Sequence, residues 1–123
     1  MYLLDANVWI EFFKKNPRIK DFINENTEDI ISSYIVLGEL FQGAKNKKEL
    51  QFLRKLFSNA EICYTTEEIV LLSFKIMEKY YLSHNTDFHD SVIAATCIVN
   101  NYELVTLNKK HFQHIDQLNL YQL

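Results

Sequence analysis

Short apolar segments with strand character alternate with longer segments of helical periodicity along the whole chain. The predicted strands span residues 2–4, 29–33, 61–64, 103–106 and 118–121, and the predicted helices span 8–15, 17–24, 35–44, 47–57, 65–82 and 85–100. Strands that are separated by helices pair in parallel through right-handed crossovers. The pattern therefore predicts a single α/β domain over 1–123, with a short parallel sheet of four to five strands and helices on both faces.

The overall composition limits the functions that such a chain can have. Hydrophobic residues make up 48% of the 123 residues, which is enough for a packed core. No apolar run approaches the roughly 20 residues that cross a bilayer, and the N-terminus lacks a signal-peptide pattern. The two cysteines, Cys63 and Cys97, lie in apolar segments and are expected to be reduced core residues of a cytoplasmic protein. With a net charge of −3, the chain can bind nucleic acid only through a local basic patch or through metal ions.

Asp5 directly follows the first apolar strand, residues 2–4. Functional sites of parallel sheets lie outside the carboxyl ends of the strands, so an acid at this position is a candidate site residue. The same residue could instead cap the helix that follows it. The sequence leaves both roles open.

Two further acids stand among apolar neighbours on predicted helices. Glu39 has Ile35 and Val36 one turn before it on the same helix face, with no Lys or Arg three or four residues away. Burial of such an unpaired carboxylate is costly unless it is paired or metal-bound, and the alternative is a peripheral, solvated helix. Asp90 lies in the first turn of a helix whose later residues enter the core, and Asp87 is the expected N-cap of that helix.

Asp5, Glu39 and Asp90 are distant in sequence but are predicted to meet at the carboxyl edge of the sheet. Three carboxylates in one place repel one another and resist ionising together. A hard divalent cation such as Mg²⁺ or Mn²⁺ removes that repulsion, because it prefers oxygen ligands. Such an ion also activates water and neutralises a phosphate group, so the pattern predicts metal-assisted phosphodiester hydrolysis.

Four segments of the chain resemble the motifs of PIN-domain ribonucleases of the VapC toxin type. They are LLDANVWI at residues 3–10, SSYIVLGELFQGA at 32–44, DSVIAAT at 90–96 and LVTLNKKHF at 104–112. The resemblance covers essentially the whole chain, with the motifs in the family's order. It implies a PIN-like fold, an endoribonuclease that uses Mg²⁺ or Mn²⁺, a homodimer, and a cognate antitoxin protein that blocks the site and could form a larger complex with the toxin.

By position, the resemblance makes Asp5, Glu39 and Asp90 the catalytic, metal-binding acids, with Glu39 acting directly or through water. Many members carry a fourth acid where this chain has Asn108, which adds no charge. A second tightly held metal ion is therefore in question. Asp87 is the residue that could supply the missing charge, although its expected capping role competes.

Other polar residues near the predicted site edge have supporting roles. The residues expected to orient water, substrate or metal ligands are Asn7, Ser33, Thr106 and Asn108. Among several basic clusters, Lys109 and Lys110 follow the predicted edge and are the best candidates to contact the RNA backbone.

Aromatic and histidine residues give weaker signals. Tyr34 and Trp9 could stack on a base, although aromatic side chains more often pack in the core or against a partner. The histidines do not have the spacing of zinc ligands, and His89 is of interest only because it lies beside Asp90.

Three other kinds of protein are alternatives to a nuclease. A receiver-type phosphoacceptor domain needs adjacent acids after the first strand and a lysine after the last, and the chain has neither. A haloacid-dehalogenase-type phosphatase needs a second Asp at the position of Asn7. A non-catalytic PIN-like binding module, whose acidic pocket grips a basic partner, stays open as the alternative to an enzyme.

Overall fold

The computed structural model describes residues 1–123 and contains a five-stranded parallel sheet. The strands are β1 (Tyr2–Leu4), β2 (Ile30–Ser33), β3 (Ile62–Cys63), β4 (Glu103–Val105) and β5 (Asn119–Leu120), in the order β3-β2-β1-β4-β5 across the sheet. The helices are α1 (Ala6–Phe13), α2 (Pro17–Glu25), α3 (Tyr34–Gln42), α4 (Lys47–Phe57), α5 (Glu67–His84) and α6 (Phe88–Asn100). All neighbouring strands pair in parallel, which confirms the predicted α/β fold.

The central strand, β1, is covered on both sides of the sheet. Leu3 and Leu4 are both fully buried. Because successive side chains of a strand point to opposite faces, this burial requires helices on both faces. A continuous core of 25 buried apolar residues surrounds the strand.

Helix boundaries follow local capping chemistry, with one correction to the prediction. The pair Asn16-Pro17 predicts an N-cap followed by proline at the first helical position, and Asn16 does cap α2. The sequence Thr65 to Glu68 predicts a capping box with Thr65 as the cap. The cap of α5 is instead Thr66, because its hydroxyl accepts a hydrogen bond from the backbone N–H of Ile69. The cap thus moves by one residue, α5 begins at Glu67, and the topology is unchanged.

Burial of individual side chains settles two further expectations. Cys63 and Cys97 are both free thiols; Cys97 is buried, as predicted, whereas Cys63 is only partly buried because it lies on the edge strand β3. The prediction that Trp9 could stack on a base is wrong, because its ring is buried and packs edge-on against Phe57 at a centroid distance of 5.1 Å. None of the helices has the length and apolar character needed to span a membrane.

The register of the sheet brings the ends of four strands level at one edge. Leu3 pairs with Ile31 and Leu4 pairs with Val105, so the next positions align Asp5 with Ser33 on one side and Thr106 on the other. Ser33 pairs in turn with Cys63. This edge is where the sequence places the candidate site.

Candidate active site

Asp5 lies at the end of β1 and is only 6% exposed. Its Oδ1 atom accepts a hydrogen bond from the backbone N–H of Ala6 at 2.8 Å, so Asp5 caps α1. Its Oδ2 atom accepts hydrogen bonds from the Thr106 hydroxyl at 2.8 Å and from the Asn7 amide at 3.4 Å. Asp5 therefore caps a helix with one carboxylate oxygen and joins the edge of the sheet with the other.

A small hydrogen-bond network fixes the Asp5 carboxylate. The side-chain nitrogen Nδ2 of Asn7 lies 3.4 Å from the Thr106 hydroxyl, and the side-chain oxygen Oδ1 of Asn7 accepts a hydrogen bond from the backbone N–H of Leu107. The Thr106 hydroxyl also accepts the backbone N–H of Asn108. The segment after β4 is thereby tied to Asp5 by its side chains and by its backbone. The orienting role predicted for Asn7 and Thr106 is consistent with these contacts.

Ser33 has a different environment from the other predicted orienting residues. Its hydroxyl oxygen accepts the N–H of Val36 at 3.3 Å and so caps α3. The residue is 1% exposed. A role of Ser33 in orienting substrate stays a prediction beside this capping role.

His89 lies between Glu39 and Asp90. Its Nε2 atom is 3.1 Å from Glu39 Oε1, and its Nδ1 atom is 3.7 Å from Asp90 Oδ1. Nε2 is buried and makes no hydrogen bond of acceptable angle, so its contact with Glu39 is mainly electrostatic. No Lys or Arg lies near Glu39 along its own helix, and the contact with His89 could not be predicted from that helix because this partner comes from α6.

Asp90 contacts a second histidine that the sequence analysis did not select. His111 Nδ1 lies 3.3 Å from Asp90 Oδ2. The position of His111, three residues after Asn108 at the same edge of the sheet, is the sequence feature that could have indicated this contact. Asp87 caps α6, since its Oδ1 accepts the N–H of Asp90 at 2.8 Å, which confirms the capping prediction.

The pKa of Asp5 reflects its surroundings. Burial raises this pKa most, hydrogen bonds from Thr106 and Ala6 oppose the rise, and the charge of Asp90 adds to it. The net direction is upward, so ionised Asp5 is destabilised in the folded chain.

Glu39 and His89 have pKa shifts that depend on each other. Burial raises the pKa of Glu39, the charge of His89 opposes the rise, and the charges of Asp5 and Asp90 add to it. The contact with Asp90 raises the pKa of His89, and Glu39 adds to this rise against the effect of burial. The edge therefore carries an excess of negative charge that His89 partly offsets.

The chemical type of these donors suits a hard divalent cation. All three predicted ligands are carboxylates, and their mutual repulsion favours a cation between them. In the present arrangement, however, no three His, Cys, Asp or Glu side chains are grouped so as to hold one metal ion. The expected convergence of the three acids on one ion is therefore not seen, and metal binding by Asp5, Glu39 and Asp90 stays a prediction.

The two lysines proposed to contact RNA lie in a short 3₁₀ turn, Lys109–His111. The Lys109 ammonium donates a hydrogen bond to Gln122 at 3.0 Å, whereas Lys110 is exposed to solvent. Their contact with the RNA backbone stays a prediction.

Comparisons with known proteins are consistent across the chain. The family model of the PIN domain matches residues 2–118. Ribonuclease VapC19 of Mycobacterium tuberculosis is 32% identical over 117 residues, which cover 91% of this chain and 92% of that protein. Ribonuclease VapC1 of Methanocaldococcus jannaschii is 34% identical over 119 residues, which cover 96% of this chain and 83% of that protein. The crystal structure of VapBC2 from Rickettsia felis bound to a DNA fragment from their promoter contains a chain that superposes on this one with a TM-score of 0.83 at 25% identity. The match covers 99% of this chain and 98% of that chain.

Proposed function

Because this chain belongs to the PIN-domain family and its relatives are VapC ribonucleases, we propose that it is a metal-dependent endoribonuclease, the toxin of a toxin–antitoxin pair. The observation that carries the proposal is the buried Asp5 carboxylate at the carboxyl edge of the sheet. The charges of Asp90 and His89 both act on its pKa. Buried acids with perturbed pKa values at such an edge are typical of functional sites. The substrate is RNA, and the reaction is hydrolysis of its phosphodiester bonds.

Asp5 and Asp90 are the residues that would hold Mg²⁺ or Mn²⁺, with Glu39 binding directly or through water. Such an ion, when bound, lowers the pKa of a water ligand and neutralises charge on the scissile phosphate. Thr106 and Asn7 keep the Asp5 carboxylate in one orientation through their hydrogen bonds to Oδ2.

The number of metal ions depends on how many carboxylates at the carboxyl edge of the sheet are free to bind them. Asn108 provides no fourth carboxylate, and the Oδ1 atom of Asp87 already accepts a helix N–H. We therefore expect one tightly held ion.

An apolar groove beside Glu39 is the surface that we assign to the antitoxin. The groove has a volume of about 300 Å³, and its lining includes Ile10, Phe13, Leu40 and Phe52. Ile10 and Phe52 are both largely exposed, although they are apolar. A partner segment with apolar side chains and a basic residue directed at Glu39 would fill the groove and cover the site.

A second apolar surface supports a homodimer. Leu71, Phe74 and Leu82 lie on one face of α5, and Leu82 is 96% exposed. The ring of Phe74 contacts that of Phe88 of α6 at a centroid distance of 5.5 Å. Glu78 lies among them on the same face, but three large apolar side chains exposed on one helix suit a protein contact, so we assign this face to a second copy of the chain.

Cleavage of purified RNA tests the proposed function. We expect the protein to cut single-stranded RNA with Mn²⁺ or Mg²⁺ and to stop when EDTA is added. Asp5→Asn and Asp90→Asn should each abolish cleavage while the circular dichroism spectrum stays unchanged. Full activity of either variant would contradict the assignment of the acids.

The alternative is a non-catalytic PIN-like module that grips a basic partner. The contact of His89 with Glu39 and Asp90 favours it, because a side chain that is cationic when protonated already engages these acids. If the protein binds RNA or a partner but cuts no RNA with either metal ion, the module is the correct description.

Co-purification tests the antitoxin assignment. The chain would be expressed with the product of the reading frame beside its gene, with and without the change Phe52→Arg. We expect this change to prevent co-purification while RNA cleavage by the free protein persists. Undiminished co-purification would assign the partner to another surface.

A further inference from the structure

Two tyrosines leave the sheet beside the acidic edge. Tyr34 follows Ser33 at the end of β2, and Tyr64 follows Cys63 at the end of β3. Ser33 and Cys63 are register partners, and Asp5 is level with Ser33 on the neighbouring strand. Because neighbouring strands lie about 4.8 Å apart, the backbone leading to Tyr64 is on the order of 10 Å from that of Asp5.

The rings of these tyrosines form a pair that is open to solvent. Their centroids are 5.0 Å apart, and their planes are inclined at 50°. Tyr34 is 46% exposed and Tyr64 is 69% exposed. Trp9, by contrast, is buried in the core. The exposed parts of the pair offer apolar ring faces to a planar ligand.

A cationic side chain lies on the same surface. Arg54 of α4 lines a depression of about 520 Å³ together with Tyr34 and Tyr64, and Phe57 and Ile62 form part of its wall. Arg54 is exposed and takes part in none of the ion pairs of the chain. A free guanidinium beside aromatic rings suits a ligand that combines a planar group with a phosphate.

We propose that Tyr34 and Tyr64 stack an unpaired base of the RNA substrate while Arg54 binds a neighbouring phosphate. This proposal rests on the ribonuclease function and names the form of its substrate. Every base has a π face, so the platform tolerates any sequence. A base inside a duplex is covered by its neighbours, so only single-stranded segments or loops can use the platform. The protein therefore selects unpaired RNA and leads the strand toward the acids.

Binding of a single-stranded RNA oligonucleotide that contains the fluorescent base 2-aminopurine tests this proposal. Stacking on an aromatic ring quenches the fluorescence, and EDTA prevents cleavage during the measurement. We expect Tyr34→Ala and Tyr64→Ala each to weaken binding by about tenfold and to reduce the quenching. Tyr34→Phe and Tyr64→Phe keep the rings and should bind as the unchanged protein does.

The cleavage reaction gives a second readout. With Mn²⁺, the alanine variants should raise KM for the single-stranded oligonucleotide and leave kcat nearly unchanged. Tyr81→Ala is a matched control, because Tyr81 is also an exposed tyrosine, at 48%, but lies on α5. The same oligonucleotide annealed to its complement should bind more weakly than the single strand.

The outcomes separate this proposal from the function on which it rests. If the unchanged protein quenches the base but cuts no RNA, the platform is supported and the nuclease function fails. If the protein cuts RNA and the alanine variants keep its KM and quenching, the platform is wrong and the nuclease function stands. If RNA binding falls only because the variants change their sedimentation, the tyrosines belong to a protein interface and the platform is also wrong.

Discussion

The imidazole Nε2 of His89 lies 3.1 Å from the carboxylate of Glu39, and this contact joins α6 to α3 across the candidate site. His89 also lies 3.7 Å from Asp90, so one imidazole touches two of the three acids. The acids raise the pKa of His89, and the positive charge of His89 opposes the rise in the pKa of Glu39. The raised pKa favours protonated His89, and in that form any metal ion that uses Glu39 and Asp90 must compete with it.

The first prediction concerns this competition. His89→Gln removes a positive charge beside the acids, so the variant should bind Mn²⁺ more tightly. At a few Å in a partly exposed site, one charge is worth about 1 kcal/mol, which corresponds to about a fivefold lower Kd. Isothermal titration calorimetry measures the difference, and His84→Gln, which removes a histidine that does not contact the acids, is the control. Equal binding would mean that His89 does not compete with the ion, and weaker binding would mean that His89 supports it; either result contradicts the prediction.

The second prediction separates the role of Asp5 in RNA cleavage from its effect on the stability of the folded protein. A raised pKa means that folded Asp5 binds its proton more tightly than the unfolded chain does, so ionised Asp5 destabilises the fold at neutral pH. This cost disappears as the pH falls through the folded pKa. Asp5→Asn keeps an oxygen to cap α1 at Ala6 and removes the charge. In EDTA at about pH 7, the variant should therefore have a Tm equal to or a few degrees above that of the unchanged protein. With Mn²⁺, the variant should no longer cleave RNA.

Thermal unfolding in EDTA across a pH series measures this effect. The difference in Tm should narrow as the pH falls toward about 4, the ordinary value for Asp, because folded Asp5 takes up its proton above that value. A Tm that falls by many degrees at neutral pH would show that the hydrogen bonds from Thr106 and Asn7 outweigh the cost of the charge.

The third prediction tests the support of Asp5 by Thr106. Thr106→Val leaves Asp5 Oδ2 without its shortest hydrogen bond and the N–H of Asn108 without its acceptor. RNA cleavage should fall about 10–100-fold, and the free energy of unfolding should fall by about 1–2 kcal/mol. Thr96→Val is the matched control, because Thr96 is equally buried and its hydroxyl donates to Val92 within α6. If both variants lose the same fraction of activity, Thr106 has only a structural role.

The fold could be predicted from the sequence because its determinants are local. Asp5 ends an apolar strand and caps the helix that follows it through the N–H of its neighbour Ala6. The Asn16–Pro17 cap and the Asp87 cap likewise depend on residues within one turn. The error at Thr65 arose because two adjacent threonines offer the same hydroxyl, and only the backbone conformation decides which one caps the helix.

The contacts of the candidate site could not be predicted, because they depend on how distant elements pack. The His89 contact with Glu39 requires the relative position of α6 and α3. The pairing of Tyr34 with Tyr64 requires β3 to lie beside β2, which follows from the strand order and not from local pattern. The burial of Trp9 also depends on tertiary packing, through Phe57 of α4.

The fourth prediction concerns the proposed dimer face on α5. Phe74→Glu places a charge in the apolar face that Leu71, Phe74 and Leu82 form. Analytical ultracentrifugation should show a dimer for the unchanged protein and a monomer for the variant. Tyr64→Glu, on an exposed aromatic residue away from α5, should leave the sedimentation unchanged. A dimer that persists with Glu at position 74 would place the interface elsewhere.

The fifth prediction concerns the stacked imidazoles of His84 and His114, whose centroids are 4.1 Å apart with planes inclined at 8°. Burial lowers the pKa of His114, and the charges of His84 and His111 lower it further. A lowered histidine pKa means that the unfolded chain binds the proton more tightly, so stability is lost as the pH falls below the ordinary value of about 6.5.

His84→Phe keeps an aromatic ring against His114 and removes the neighbouring charge. The loss of Tm between about pH 7 and about pH 5 should therefore be smaller in the variant, because protonated His114 would no longer face a second positive ring. The rise in stability that Asp5 and Glu39 contribute at low pH is common to both proteins and cancels in the comparison, so an identical pH dependence would exclude repulsion between the two rings.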